Sequence, residues 1–261
     1  MGGFSIRKAV LGAIVVLLCA VMLAPIVIVA VVSFSGDAYL KFPPELYSLE
    51  WYERFLGNAR WTMALWNSVL VAAITCICST ALAFLAAYGM IRGNMPFRRV
   101  ITALLLMPLI VPHVVTAVAL YFLSARFGMI GVRPWIALAH SVIALPVVLI
   151  ILQSALKTVD VNLERAAMIC GCNRFGVFHR VVLPLTAPAI ISSLLFAFLT
   201  SFDELVISLF LAGIRAETLP VRMWNSLMLQ VEPTIAAVST LLIVVTSTAL
   251  LAEWALRRRT A

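Results

Sequence analysis

Two adjacent acidic residues, Asp203 and Glu204, lie inside a long apolar stretch of the sequence. A carboxylate in hydrocarbon is costly unless it is solvated or paired, so each is expected to face a cavity or a partner. On a continuous helix, Ser193, Thr200, Glu204 and Ser208 would share one stripe that could line a water-filled pathway. In that pathway Asp203 or Glu204 would attract a cationic amine. The alternative is a structural pair or a hydrogen bond with a partner subunit.

The other residues with catalytic potential do not form a set. His113 and His140 lie beside or within apolar stretches, where a histidine more often hydrogen-bonds a freed carbonyl than relays protons. Adjacent helical residues point about 100° apart, so Asp203 and Glu204 make a poor dyad for a membrane hydrolase. The cysteines lack C-x-x-C spacing and predict neither a disulfide framework nor a metal site. Without a G-x-x-x-x-G-K-[ST] loop, the chain is not expected to bind ATP itself.

The elements that must position these residues are membrane helices. Of the 261 residues, 64% are hydrophobic and only 11% are charged, and the mean hydropathy is +1.10. Soluble domains carry about a quarter charged residues, so a polar surface cannot be built here. The net charge of +8 does not indicate a nucleic-acid partner, because the basic residues lie between apolar runs.

Six apolar stretches are long enough to span a bilayer, which takes about 20 residues. The predicted spans are approximately 9–33, 65–91, 101–124, 136–156, 185–211 and 235–256. The first is longer than the apolar part of a signal peptide and is expected to remain uncleaved. The sequence therefore predicts an all-α integral membrane protein with six transmembrane helices in one domain over residues 1–261, surrounded by membrane lipid.

The basic residues indicate the orientation of these spans. Most of the 19 lysines and arginines fall in the segments on the same side as both termini. Cytoplasmic loops carry such an excess, so both termini and the 157–184 loop are predicted to be cytoplasmic.

A loop on the predicted outer side carries several aromatic residues. Ser48 could cap a short helix that contains Trp51, Tyr52 and Phe55. Aromatic residues at this depth are typical of an interfacial anchor. Docking to an external partner is the alternative.

The predicted inner loop, residues 157–184, has the pattern of a helical hairpin. Asp160 or Asn162 could cap a helix that ends at Gly171, and a second short amphipathic piece leads to Pro184. Small residues in the first helix would allow another surface to approach closely. The alternative is a basic loop that only sets the topology.

The spacing of this loop resembles the EAA loop of permease subunits of binding-protein-dependent ABC importers. In that family the loop is a coupling helix that sits in a groove of the cytoplasmic ATPase. The alanines, the glycine and the terminal Leu-Pro match, whereas the glutamate that usually precedes the alanines is Arg165 here. The resemblance assigns ATPase coupling to Glu164, Arg165, Ala166, Ala167, Gly171, Leu183 and Pro184.

Further segments along the chain are similar to the spermidine/putrescine branch of these permeases. They include Phe42-Pro43-Pro44, Pro108 to His113, and Ser201 to Glu204. The resemblance implies a non-catalytic subunit in a bacterial inner membrane, with a second homologous permease, two ATPase subunits and an external solute-binding protein. It also implies that ATP and Mg²⁺ are bound by the ATPase subunits, and that this chain has no cofactor.

The resemblance implies an ATP-driven importer of spermidine or putrescine. The branch also includes transporters of opines, aminobutyrate-like compounds and other small nitrogenous solutes, so these stay open. A secondary transporter is a further alternative, although the sequence shows no convincing internal repeat.

Overall fold

The computed structural model of the protein describes residues 3–37, 41–93, 95–229 and 232–260. These residues are predominantly helical, and between Ser35 and Tyr47 they form an isolated β-bridge. The all-α fold class predicted from the sequence is confirmed. In the described ranges the α-helices are α1 (Gly3–Val32), α2 (Glu50–Gly57), α3 (Ala59–Arg92), α4 (Arg98–Leu106), α5 (His113–Arg126), α6 (Arg133–Thr158), α7 (Val161–Ile169), α8 (Arg174–Val177), α9 (Leu183–Phe202), α10 (Val206–Leu211), α11 (Leu219–Leu229) and α12 (Thr234–Thr260).

Five stretches of helix are long and apolar enough to cross a membrane, and a bent helix pair brings the number to six. The five lie in α1, α3, α6, α9 with the helical turns that precede it, and α12. Residues 8–28 of α1 are exposed throughout. The helices are apolar on nearly all sides because their surroundings are lipid.

The third predicted span, 101–124, is not one helix. It consists of α4, a 3₁₀ turn over Met107–Leu109 and α5, and the two helices bend by 98° between them. Pro108 lies in the 3₁₀ turn and Pro112 directly precedes α5. Proline removes a backbone donor and clashes with the preceding turn, so two prolines this close end the first helix.

The fifth predicted span, 185–211, is also interrupted, although it has no proline or glycine at that point. Helix α9 ends at Phe202, and α10 begins at Val206. The prediction of a continuous helix here is therefore wrong. Pro188, by contrast, lies inside α9 without ending it, because neighbouring groups in a membrane protein can satisfy the carbonyl that a proline frees.

The chain forms two compact units, of which the first comprises Met1–Thr62 and Met223–Ser247. In this unit Trp51 and Phe55 of α2 are buried, and the Phe55 ring meets the Trp61 ring edge to face at 6.0 Å. Tyr52 Oη lies 2.8 Å from Ser33 Oγ. The short helix predicted after Ser48 is present, but Trp51 and Phe55 pack inside the unit and do not act as interfacial anchors.

The second unit comprises Met63–Arg222 and Thr248–Ala261. Its core has two apolar clusters along α6: one contains Leu149 and Leu152, and the other contains Ile136 and Ile143. Helix α9 packs along α6, and α10 packs along α5. Small residues such as Ala83 and Ala87 of α3 and Ala144 of α6 are fully buried in the first of these clusters, which is typical of membrane helix packing.

Candidate functional site

The first candidate region is the 157–184 segment, where α7 is tied to the end of α3. Arg92 Nε donates to Glu164 Oε1 at 2.6 Å, and Arg92 Nη2 donates to the Val159 carbonyl at 2.8 Å. The two charged side chains are only 13% and 10% exposed. Glu164, which the resemblance assigned to ATPase coupling, is therefore turned inward and holds α7 in place.

The ends of α7 follow from local hydrogen bonding. Asp160 Oδ1 accepts from the Asn162 N–H at 2.9 Å, so Asp160 is the cap. At the other end, Gly171 N–H bonds to the Met168 carbonyl and the next N–H bonds to the Ala167 carbonyl, both at 3.0 Å. This is a Schellman motif, and it places Gly171 at φ +89°, a conformation that favours glycine. Gly171 ends this helical region as the sequence predicted.

The outward face of this hairpin is apolar and exposed. We call the side chains of Met168, Ile169 and Phe175 the tip surface; Ile169 is 87% exposed and Phe175 is 71% exposed. Arg165 and Ala166 are exposed as well, and Ala167 is half-buried. Apolar side chains this exposed on a polar-flanked hairpin are typical of a protein–protein contact.

A π-helical turn joins this hairpin to the fifth span. Phe178–Val182 is π-helical, and α9 follows directly at Leu183 and Pro184. Leu183 is half-buried and Pro184 is exposed. The Phe178 ring packs edge to face on Tyr88 of α3 at 5.3 Å. Such turns occur mostly as single-turn interruptions of α-helices and are frequent at functional sites.

The second candidate region is the break between α9 and α10, which holds both intramembrane acids. Asp203 is exposed, and within the described part of the chain no hydrogen bond or ion pair engages its carboxylate. Glu204 is only 7% exposed. Glu204 Oε1 accepts from the Ile207 N–H at 2.9 Å, and Oε2 lies 3.8 Å from His113 Nδ1 at the start of α5. The break thus presents Asp203 outward and Glu204 inward.

The polar stripe that a continuous helix would form is not present, because the helix ends before Glu204. Thr200 is half-buried and donates to its own helix at the Phe196 carbonyl, 2.8 Å away. Ser208 is fully buried and lies 3.0 Å from His140 Nε2. Ser193 is buried without a described hydrogen-bond partner. The structure therefore brings Ser208 to His140 rather than to a pathway shared with Thr200.

Sequence reasoning missed two long-range contacts of these regions. His140 was expected to bond a freed carbonyl, but its ring is bonded to Ser201 and Ser208. From the sequence, Arg92 has no role beyond its share of the basic residues that indicate the orientation, yet its partner Glu164 lies on the 157–184 segment. A signal for the second contact was present: a glutamate in a predicted amphipathic helix needs a partner when it lies on the inner face.

A comparison with protein families decides what kind of protein carries these two regions. Residues 79–261 match the model of the binding-protein-dependent transport system inner membrane component. The chain belongs to this permease family. The matched range contains α7, the tip surface and the break between α9 and α10.

Curated relatives extend the similarity toward the N-terminus. The spermidine/putrescine transport system permease protein PotC of Haemophilus influenzae is 30% identical over 221 residues, which is 84% of this chain and 85% of that protein. The putrescine transport system permease protein PotI of Escherichia coli is 32% identical over 235 residues, 84% of this chain and 80% of that protein. These similarities confirm the resemblance predicted from the sequence.

A solved structure shows the same fold at low sequence identity. A bacterial ABC transporter involved in the import of the acidic polysaccharide alginate aligns with a TM-score of 0.75 and 15% identity, covering 99% of this chain and 98% of that one. At that identity the likeness concerns the fold alone.

Family membership has direct consequences for the permease. It is a non-catalytic, inner-membrane component of a transport complex. The family description implies ATPase and solute-binding partners. A secondary transporter and a membrane hydrolase, both alternatives raised from the sequence, are not favoured by these findings.

Proposed function

We propose that the permease is half of the transmembrane pathway of an ATP-driven importer of polyamines such as spermidine or putrescine. The observation that carries this proposal is the pair of carboxylates at the break between α9 and α10, in a chain whose relatives PotC and PotI are named for these solutes. A polyammonium ion is attracted by carboxylates that face a low-dielectric pathway. In this proposal Asp203 is the group that the solute meets, because Asp203 is the exposed one of the two.

The partners in this proposal are a second, homologous permease, two cytoplasmic ATPase subunits and an external solute-binding protein. ATP and Mg²⁺ are bound by the ATPase subunits, and this chain needs no cofactor. Both termini and the 157–184 segment are cytoplasmic, as the distribution of basic residues indicates.

The tip surface supports the assignment of the ATPase contact. An ATPase groove would cover Met168, Ile169 and Phe175, with Arg165 and Ala166 beside them. Glu164 and Gly171 shape the hairpin from within, and Leu183 and Pro184 connect it to α9. Movement of the ATPase would then be transmitted through the π-helical turn to the fifth span, where the acids lie.

A second candidate solute is an opine or an aminobutyrate-like compound. It is favoured by His113, whose side chain is 55% exposed and lies 3.8 Å from Glu204. A protonated imidazole beside Glu204 would offer both signs of charge, which a zwitterion could use.

Uptake by the complete complex in proteoliposomes tests both candidates. The chain is combined with the companion permease, ATPase and binding protein encoded beside it, and internal ATP is supplied. We expect ATP-dependent uptake of labelled spermidine or putrescine. We further expect Asp203→Asn to lower the uptake rate about 10- to 100-fold, since a hydrogen bond to a charged group contributes about 1.5–3 kcal/mol.

Glu253→Gln is the matched control, because Glu253 is another acid in an apolar helix and accepts from Ser192 Oγ at 2.6 Å. Uptake of a zwitterion but not of polyamines would favour the second candidate. Unchanged uptake in Asp203→Asn would contradict the role of this carboxylate, and uptake that does not depend on ATP would contradict the importer assignment.

A further inference from the structure

A buried histidine bridges the two sides of the break. His140 lies in the N-terminal third of α6 and is fully buried. Its Nδ1 is 2.8 Å from Ser201 Oγ, near the end of α9, and its Nε2 is 3.0 Å from Ser208 Oγ, in α10. We call His140, Ser201 and Ser208 the clamp. The acids at 203 and 204 lie between the two serines of the clamp.

The surrounding hydrogen bonds determine which ring nitrogen carries the proton. Thr75 Oγ1 lies 2.9 Å from the Val71 carbonyl and 3.0 Å from the Ala137 carbonyl, so its single proton is directed to these acceptors. Thr75 Oγ1 must therefore accept the proton of Ser201 Oγ, which lies 3.2 Å away. Ser201 then has no proton left for the ring, so His140 Nδ1 carries a hydrogen and donates to Ser201.

The second ring nitrogen is then the acceptor of the Ser208 hydroxyl. A ring protonated at both nitrogens would be a buried cation, and among the described residues no carboxylate lies within ion-pair distance of His140. A buried charge without a partner is strongly disfavoured. The chain of donors thus runs from Ser208 through the neutral ring and Ser201 to Thr75.

The clamp acts where the backbone is least regular. Asp203 N–H and Glu204 N–H still bond back to α9, at the Leu199 and Ser201 carbonyls, whereas the Ile207 N–H bonds to the Glu204 side chain. The α-helical hydrogen-bond ladder is therefore interrupted between α9 and α10. The ring spans this interruption with one bond to each side.

We propose that His140 is a positioning residue for solute passage, which holds the ends of α9 and α10 together so that Asp203 and Glu204 keep their orientation. This inference rests on the proposed function. Histidine suits the role because a neutral imidazole offers one donor and one acceptor at a fixed separation. An aliphatic residue of similar size would leave the Ser208 hydroxyl buried without its acceptor.

Three variants of the assembled complex separate positioning from a general loss of structure. His140→Leu removes both bonds, whereas His140→Gln keeps one donor and one acceptor. Ser141→Ala is the matched control, since Ser141 is a buried neighbour in the same helix whose hydroxyl donates to the Ala137 carbonyl of that helix at 2.8 Å. For His140→Leu we expect KM for the solute to rise about tenfold or more, because a buried hydroxyl is orphaned and the acids shift. Complex yield should be retained, and His140→Gln should recover most of the affinity.

Two further readouts do not depend on the identity of the solute. In ¹⁵N-histidine-labelled complex, the His140 signal, assigned by its loss in His140→Gln, should show a protonated Nδ1 and an unprotonated Nε2. A thiol introduced by Leu205→Cys should be alkylated about tenfold faster in the His140→Leu background and at an unchanged rate with Ser141→Ala, in line with loss of a local restraint. Alkylation of the chain without Leu205→Cys gives the background rate that comes from its own cysteines.

The outcomes separate the clamp from the transport proposal. Absence of polyamine uptake by the wild-type complex would overturn the proposed solute, while the ring state and the alkylation rates would still decide on the clamp. An Nε2-protonated or doubly protonated ring would overturn it. Equal alkylation rates in the native, His140→Leu and Ser141→Ala backgrounds would also overturn it. The same holds if His140→Leu lowers only the maximal rate of uptake and leaves KM unchanged.

Discussion

The pair between Arg92 and Glu164 allows the most quantitative prediction. Arg92→Ala removes two charge-assisted hydrogen bonds, to the Glu164 carboxylate at 2.6 Å and to the Val159 carbonyl at 2.8 Å. Breaking a fully buried pair by removing one partner costs about 3–5 kcal/mol. Since the Glu164 side chain retains 10% exposure and can turn toward water, a cost of about 2 kcal/mol is the more reasonable figure.

This free energy is local, because the pair connects α7 to the end of α3. A loss of about 2 kcal/mol raises the open fraction of α7 about 30-fold. Hydrogen–deuterium exchange of the amides in residues 161–171 should therefore accelerate by a similar factor in the purified complex, while α6 amides keep their protection. Because α7 positions the tip surface, ATP-dependent uptake should fall more than ATP hydrolysis does.

The matched control is Arg165→Ala, which removes an exposed arginine from the same hairpin and should change exchange by less than about threefold. The double variant Arg92→Met with Glu164→Leu should recover much of the protection, since neither charge is then buried alone. If Arg92→Ala leaves exchange of α7 unchanged, or if Arg165→Ala accelerates it equally, the ion pair does not hold the hairpin and the argument is refuted.

Two further predictions concern the hairpin itself. Gly171→Val should abolish most ATP-dependent uptake, because φ +89° costs an L-residue about 1–2 kcal/mol although no atom would crowd its Cβ; Gly171→Asn should retain more uptake, and equal uptake by both variants would contradict this. Phe175→Ser should leave the thermal stability of the chain unchanged but reduce co-purification of the ATPase, since the ring is 71% exposed and covers no core. The control is Leu56→Ser, which likewise replaces an exposed apolar residue with serine, at a position on α2 that is 65% exposed. Equal loss of the ATPase in both variants would argue against a role of the tip surface in ATPase binding.

The membrane-spanning helices were predictable where the hydropathy of the sequence marks a long apolar stretch. Apolar length located the spans because a bilayer demands about 20 residues, and a capping aspartate with a distant glycine located α7. Hydropathy does not report continuity, however. Pro146 lies inside an unbroken α6, whereas the fifth span breaks at Asp203 without a proline at that point. Whether a helix continues depends on which side chains satisfy its backbone, and these come from elsewhere in the chain.

The candidate site was predictable in its residue types and not in its pairings. Asp203 and Glu204 were recognisable because acids in apolar runs are rare. Their different environments were not, since His113 approaches Glu204 only because the chain bends before α5, where Pro112 directly precedes His113. The same holds for His140, whose serine partners are set by the packing of α6 against α9 and α10.

Because of the π-helical turn over Phe178–Val182, the number of residues in this link helps to determine where the tip surface points. Each α-helical residue advances the angular phase by about 100°, and a turn closed by i→i+5 bonds holds one residue more than an α-helical turn. Deleting one residue there would restore regular α-geometry and rotate everything before it by about that angle. Phe175 would then point to a different side of α9, so a single-residue gap in this link would redirect the tip surface as decisively as a change in the residues that form it.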